Sequence, residues 1–193
     1  MEFHSIRLSK IALPKQWKNL PSKYLKAEGY PVYGANGIIG YYSEYNHETP
    51  TIAITCRGAT SGNVHLTKPF SYINSNAMAL ENINTDQYDI KYLYYFLRYR
   101  GLKDVITGAA QPQITATNLS KIEVLVPAKI TDQKRIAKVL SHCEQLIAWR
   151  KESMALLDDY LEAVFFEMFG PEFKNSKKWD KKLKDVVPSI DSG

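Results

Sequence analysis

Between residues 132 and 169 apolar side chains return every seventh position, and no other feature constrains this chain as strongly. Leu140, Ile147, Met154, Leu161 and Met168 form one row. Ile136, Cys143, Leu157 and Val164 form a second, whose remaining slot holds Arg150. Two offset rows sustained over about five heptads make the seam of a long helix. Thr131 and Asp132 are placed to cap its start with a side-chain oxygen and a favourable negative charge. Gly170-Pro171 stops it, a left-handed residue followed by one that cannot be helical. The helix would be about 57 Å long at about 1.5 Å per residue. It either packs along its own domain or meets a partner helix. The chain has no matching second helix, and the residues before it are too few to cover the whole seam. A partner-helix interface is therefore expected at Ile136, Leu140, Cys143, Ile147, Met154, Leu157, Leu161 and Val164. Arg150 within it costs stability unless paired, and polar seam residues often fix register.

Residues 1–130 are of a different character. Short β-branched and aromatic runs, such as Thr51–Thr55, Tyr72-Ile73 and Ile122–Val126, are broken by Gly, Asn and Pro. The last alternates less cleanly than a half-exposed strand would, and ends at Pro127, which cannot continue a ladder. Tyr88–Lys103 suits a helix, with Tyr92, Leu93, Phe96, Leu97 and Arg100 at helical spacing and Gly101 near its end. The fold class is therefore α+β: a strand-rich mixed domain over 1–130, a long coiled-coil-forming helix over 131–170, and a polar linker with the opening of another unit over 171–193. Trp179–Val186 faintly echoes the chain's own start, where Arg7-Leu8-Ser9-Lys10-Ile11 parallels Lys182-Leu183-Lys184-Asp185-Val186.

Charge is distributed unevenly. Residues 1–130 hold 14 Lys and Arg against 9 Asp and Glu, whereas residues 131–170 hold 5 against 7. A moderately basic domain is compatible with a polyanion partner. No run approaches about 18 uncharged apolar residues, so nothing reads as a membrane span. Met1–Ser5 lacks the basic and apolar regions of a secretory signal. Cys56 and Cys143 lack metal-ligand spacing and read as a reduced pair. The expected location is the cytoplasm.

Catalytic patterns are not found. There is no phosphate-cradling Gly-rich loop with Lys and Ser/Thr, no dinucleotide fingerprint and no nucleophile elbow. His4, His47, His65 and His142 form no pair at ligand spacing and read as surface or capping residues; Glu44 precedes His47 by three positions, but in a loop. The expectation is a non-enzyme that needs no metal or cofactor.

Three loops offer groups that suit DNA. Tyr30–Tyr42 carries Gly34, Asn36-Gly37 and Gly40, which permit tight turns and close backbone approach. It reads as a hairpin with a buried aromatic rim, as a DNA-facing loop, or both. Arg57-Gly58-Ala59-Thr60-Ser61-Gly62 places a cation, backbone N–H groups and two hydroxyls together, which suits a phosphate or a guanine edge, or forms a solvated turn. Phosphate contact or loop support is the favoured reading of Arg57, because clustered donors suit an anion. Gln111-Pro112-Gln113 can read adenine or be plain surface. Candidate DNA-binding residues are thus Lys23, Asn36, Arg57, Thr60, Ser61, Lys68, Gln111 and Gln113, with Lys23 and Lys68 as phosphate contacts.

In their order, Tyr33–Tyr41, Arg57–Gly62, Gln111–Ile114 with Leu119–Ile122 and Val126-Pro127, Asp132–Ala137 and Met168-Phe169-Gly170 resemble specificity subunits of type I restriction–modification systems. The resemblance covers one target-recognition domain and its spacer helix, with Trp179–Val186 as the start of a second domain. It implies two recognition domains joined by antiparallel spacer helices, each reading half of a split target on double-stranded DNA. It also implies partner methyltransferase and restriction motor subunits that supply the catalysis. Stopping after one domain and one helix departs from the pattern, and points to a truncated subunit, a half-subunit that dimerises, or a fragment. A rigid helix suits the role of a ruler between half-sites, one DNA turn being about 34 Å. The competing expectation is the recognition part of a single-chain DNA modification enzyme whose catalytic domain lies elsewhere. The absence of upstream catalytic motifs and the opening Met1 weigh against it. A helical adaptor with no DNA role is a third reading.

Overall fold

The computed structural model describes residues 1–108 and 111–170. In chain order the elements are β1 (Phe3–Arg7), β2 (Leu13–Gln16), β3 (Tyr30–Gly34), β4 (Gly37–Tyr42), β5 (Ile52–Thr55), β6 (Val64–Leu66), β7 (Tyr72–Ile73), β8 (Ala77–Glu81), α1 (Ile90–Arg100), α2 (Ala116–Ser120), β9 (Glu123–Pro127) and α3 (Ile130–Phe169). The class is α+β, as expected. Two compact units are present, Met1–Ser141 and a second beginning at His142. The first takes in the opening turns of α3, so it extends past the expected boundary at residue 130.

Within the first unit the main sheet runs β2-β8-β5-β6, all antiparallel. Every residue of β5 is buried because both its faces are covered. Ile52 and Ile54 face the main core with Leu8, Leu93, Leu97 and Val124, while Ala53 joins Ile73, Ala77 and Ala79 in a smaller cluster. That is why its sequence is a continuous apolar run rather than an alternation. A second sheet runs β4-β3-β7, with β3 and β7 parallel. β1 pairs with β9, setting Ile6 opposite Val124. β9 alternates more cleanly than its composition suggests: Val124 and Val126 are buried, whereas Leu125 faces outward.

α1 starts where the Asp89 side chain accepts the Tyr92 N–H at 2.9 Å and ends at Gly101, whose φ of 71° is left-handed. Its buried face of Tyr92, Leu93, Tyr95 and Leu97 packs into the main core. Full burial of a leucine such as Leu93 contributes about 1.5–3 kcal/mol.

α3 differs from expectation at its start. It begins at Ile130, with the Lys129 carbonyl accepting the N–H groups of Asp132 and Gln133. Thr131 and Asp132 therefore lie inside the first turn and are not the cap, although the Asp132 charge still stands at the positive end of the helix. Its end is as expected: Gly170 has φ 74° and donates its N–H to the Phe166 carbonyl at 2.9 Å. A further correction concerns the seam. Ile136 and Leu140 pack against the core of their own domain, beside the buried Ala137. They were expected on a partner helix, but Tyr92, Tyr95 and Val126 of the same domain line the same core. In the second unit Ile147, Met154, Leu157 and Leu161 are each more than half exposed, and Cys143 is exposed. The expected opening of another unit at 171–193 lies outside the described residues.

Candidate nucleic-acid interface

The turn that follows β5 is stitched to a distant loop. The Ile114 N–H donates to the Cys56 carbonyl at 2.9 Å, and the Gly58 N–H donates to the Pro112 carbonyl at 3.2 Å. On its other side Gln113 exchanges both backbone hydrogen bonds with Thr107, each at 2.8 Å. Gly108 has φ 87°, and a Cβ there would collide with the Gln111 carbonyl oxygen, so only glycine lets this loop close. The result is an open cleft of about 650 Å³ lined by Arg57, Gly58, Ala59, Gln111, Pro112 and Gln113. Arg57, Gln111 and Gln113 are all exposed. One guanidinium and two primary amides on one concave surface form a donor–acceptor set able to meet base edges or phosphate.

Thr60 and Ser61 do something other than expected. The Ser61 hydroxyl donates to the Gly58 carbonyl at 2.7 Å and lies 3.0 Å from the Pro112 carbonyl. The Thr60 hydroxyl donates to the Ala35 carbonyl, which also accepts the Thr55 hydroxyl at 3.0 Å. Backbone donors of the turn are engaged as well: Ser61 N–H by Gly58, Gly62 N–H by Thr55 and Asn63 N–H by Thr60. The donor cluster invoked for an anion is therefore turned inward, because a tight turn satisfies its own polar groups first.

Asn36 is exposed at the tip of the β3–β4 hairpin, where Gly37 at φ 73° reverses the chain. The hairpin expected from Tyr30–Tyr42 is thus present. Its Tyr33 ring is buried, and the Tyr33 hydroxyl accepts the Lys68 N–H at 3.1 Å, so Tyr33 is a brace. Lys68 is exposed in the loop between β6 and β7. Lys23 is exposed in a single 3-10 turn at Ser22–Tyr24, with its Nζ 5.0 Å from the centre of the Tyr24 ring. Neither lysine lines the Arg57 cleft.

Two of the histidines are withdrawn from solvent, His47 buried and His65 half-buried. His47 is buried, 2.6 Å from Asn46 Oδ1 and 3.1 Å from the Glu81 carboxylate, which also accepts the Trp17 indole N–H at 2.8 Å. Burial pushes the His47 imidazole below its ordinary value, and Glu81 opposes this in part. His65 on β6 has a buried Nε2 with no hydrogen-bond partner among the described residues, and burial together with the nearby Arg98 charge lowers its pKa. Burial likewise pushes the Cys56 thiol up. Among the described residues no cluster of three or more His, Cys, Asp or Glu could hold a metal ion, and no helix is long and apolar enough to cross a membrane.

A sequence model of the type I restriction modification DNA specificity domain matches residues 8–157. This chain belongs to that family. The specificity domain is 30% identical over 120 residues to the specificity subunit of the EcoprrI type I restriction enzyme of Escherichia coli, a match covering 61% of this chain and 28% of that protein. It is 29% identical over 124 residues to the MjaIX specificity subunit of Methanocaldococcus jannaschii, covering 53% of this chain and 28% of that one. The chain thus spans under a third of the length of either relative. Its fold is shared with the type I restriction–modification S subunit from M. genitalium, with a TM-score of 0.68 and 20% identity over 85% of this chain and 46% of that one.

Several parts of the specificity domain had no sequence signal of their own. Ala59 and Pro112 line the cleft only because Gly58 and Pro112 pair across 54 positions. A smaller cleft of about 360 Å³ joins His65 to Tyr94 and Arg98 of α1, which no local pattern links. Gln133 was one residue of a helix-opening run, yet it is the largest fully buried polar side chain in the domain. Its i+4 spacing to the buried Ala137 was the available clue.

Proposed function

We propose that this specificity domain reads one half of a bipartite sequence on double-stranded DNA and directs the methyltransferase and restriction subunits of a type I restriction–modification complex. It carries no catalysis of its own in this reading, uses no cofactor, and works in the cytoplasm. The observation that carries the proposal is the cleft in which Arg57, Gln111 and Gln113 converge, in a domain of a DNA-specificity family. Arg suits guanine or phosphate and Gln suits adenine. Loops held on a rigid strand scaffold are the usual carriers of such contacts. Asn36 extends the reading surface, and Lys23 and Lys68 supply sequence-independent attraction to phosphates. The exposed row Ile147, Met154, Leu157 and Leu161, with Cys143 and Val164, pairs with a second copy of the helix or with an equivalent helix of the same subunit.

Co-expression with a candidate methyltransferase partner, followed by sequencing of the modified sites, tests this function. A bipartite modified motif that depends on this chain is the expected result. Methylation with the same motif in its absence would overturn it.

A further inference from the structure

We infer that Thr55 and Thr60 are positioning residues that lock the β3–β4 hairpin tip onto the Arg57 turn, so that Asn36 and the cleft act as one DNA-reading surface. The inference rests on the reading proposed above. A carbonyl oxygen has two lone pairs. The Ala35 carbonyl receives two hydroxyls from one neighbouring segment, Thr55 at 3.0 Å and Thr60 beside it. Thr55 closes β5 and is fully buried, so its hydroxyl has a fixed origin. Thr60 lies three residues beyond Arg57, and the next residue, Ser61, reaches the Pro112 carbonyl at 3.0 Å. Hydroxyls of consecutive residues therefore tie the turn to the hairpin on one side and to the Gln111–Gln113 loop on the other.

Geometry explains why this matters for reading bases. Asn36 immediately follows the doubly held carbonyl and is exposed. An asparagine amide meets adenine through two hydrogen bonds of fixed direction, so its backbone must not wander. A two-residue hairpin tip without side-chain support frays readily, being at the low-stability end of a fold. The threonine tether removes that freedom without touching DNA.

The test uses the full chain, a duplex pool with a randomised centre, and the variants Thr60→Val, Thr60→Ser, Thr55→Val and Asn36→Ala. Valine keeps the shape of threonine and removes the hydroxyl; serine keeps the hydroxyl. Thr60→Val is expected to weaken preference by about tenfold at the base positions that Asn36→Ala relaxes, leaving affinity for random duplex and its salt slope unchanged. Thr60→Ser restores the preference, and Thr60→Val adds nothing in the Asn36→Ala background. Preference retained in Thr60→Val, relaxation at other positions, or an additive loss overturns the inference. If the fully buried Thr55→Val does not fold, the Thr60 pair alone decides. If the unmodified chain prefers no duplex sequence, the DNA-reading role fails, and amide hydrogen exchange at Asn36 and Gly37 judges the tether by itself: faster exchange in Thr60→Val supports it, and unchanged exchange overturns it.

Discussion

The side-chain carbonyl of Gln133, in the first turn of α3, accepts the backbone N–H of Asp89 at 2.9 Å, while Asp89 itself caps α1. The Gln133 amide also donates to the Gln87 and Pro127 carbonyls at 3.0 and 3.1 Å, and the residue is 1% exposed. One side chain thus joins the approach to α1, the end of β9 and the start of α3. Gln133→Leu leaves the buried Pro127 carbonyl and the half-buried Asp89 N–H without that partner, while the Gln87 carbonyl belongs to an exposed residue. The expected destabilisation is about 2–4 kcal/mol, from about 1–3 kcal/mol for the buried carbonyl and about 1 kcal/mol for the half-buried N–H. Urea unfolding measures it. Gln87→Ala, which removes a side chain but keeps the carbonyl, is expected to change stability little.

Arg57, Gln111 and Gln113 predict a split between specific and general DNA binding. Because the turn's own donors face inward, Arg57 has no anion cradle to share, and a base-edge contact gains weight over phosphate. Arg57→Ala is expected to cost about 1–3 kcal/mol on the cognate site and to relax one base position, with Gln113→Ala relaxing another. Lys23→Ala and Lys68→Ala instead weaken all duplexes alike and flatten the salt dependence. Competition binding against cognate and random duplex at several salt concentrations separates the two patterns.

The seam of α3 predicts different consequences along its length. Ile147→Asp with Leu157→Asp is expected to abolish self-association in sedimentation while leaving the melting temperature of the domain unchanged. Leu140→Ala, in the part that packs on its own domain, lowers domain stability by about 1–2 kcal/mol, below the figure for a fully buried leucine. Its association is unchanged.

His65 predicts a loss of stability in mild acid. Its folded pKa is depressed below the ordinary value of 6.5, so as pH falls through 6.5 the unfolded chain takes up the proton first. Stability is full above 6.5, declines below it, and levels off under the folded pKa. His47 contributes with the same sign. His65→Gln is therefore expected to shallow the decline between pH 7 and pH 5 without removing it, as read from urea unfolding at each pH. An unaltered slope would show that the imidazole titrates normally in the folded protein.

What the sequence determined by itself is whatever local periodicity and backbone chemistry encode. The seven-residue apolar repeat specified a long helix, Gly170 its end, the spacing within Tyr88–Lys103 a helix that forms over Ile90–Arg100 and stops at Gly101, and Asn36-Gly37 a reversal between two strands. These follow because neighbouring residues share one helix face or one turn. Tertiary structure alone decided how such pieces were used. Ile136 and Ile147 occupy the same kind of repeat, yet Ile136 packs against the core of its own domain and Ile147 stands exposed. Thr60 and Ser61 look like ligand donors in sequence, but Ala35 and Pro112 accept from them across 25 and 51 positions. His47 reads as a loop residue and is buried because Trp17, from the segment after β2, and Glu81, from β8, close over it. Long-range pairing has no local signature, since the partner that satisfies a polar group is chosen by the fold and not by the neighbours in the chain.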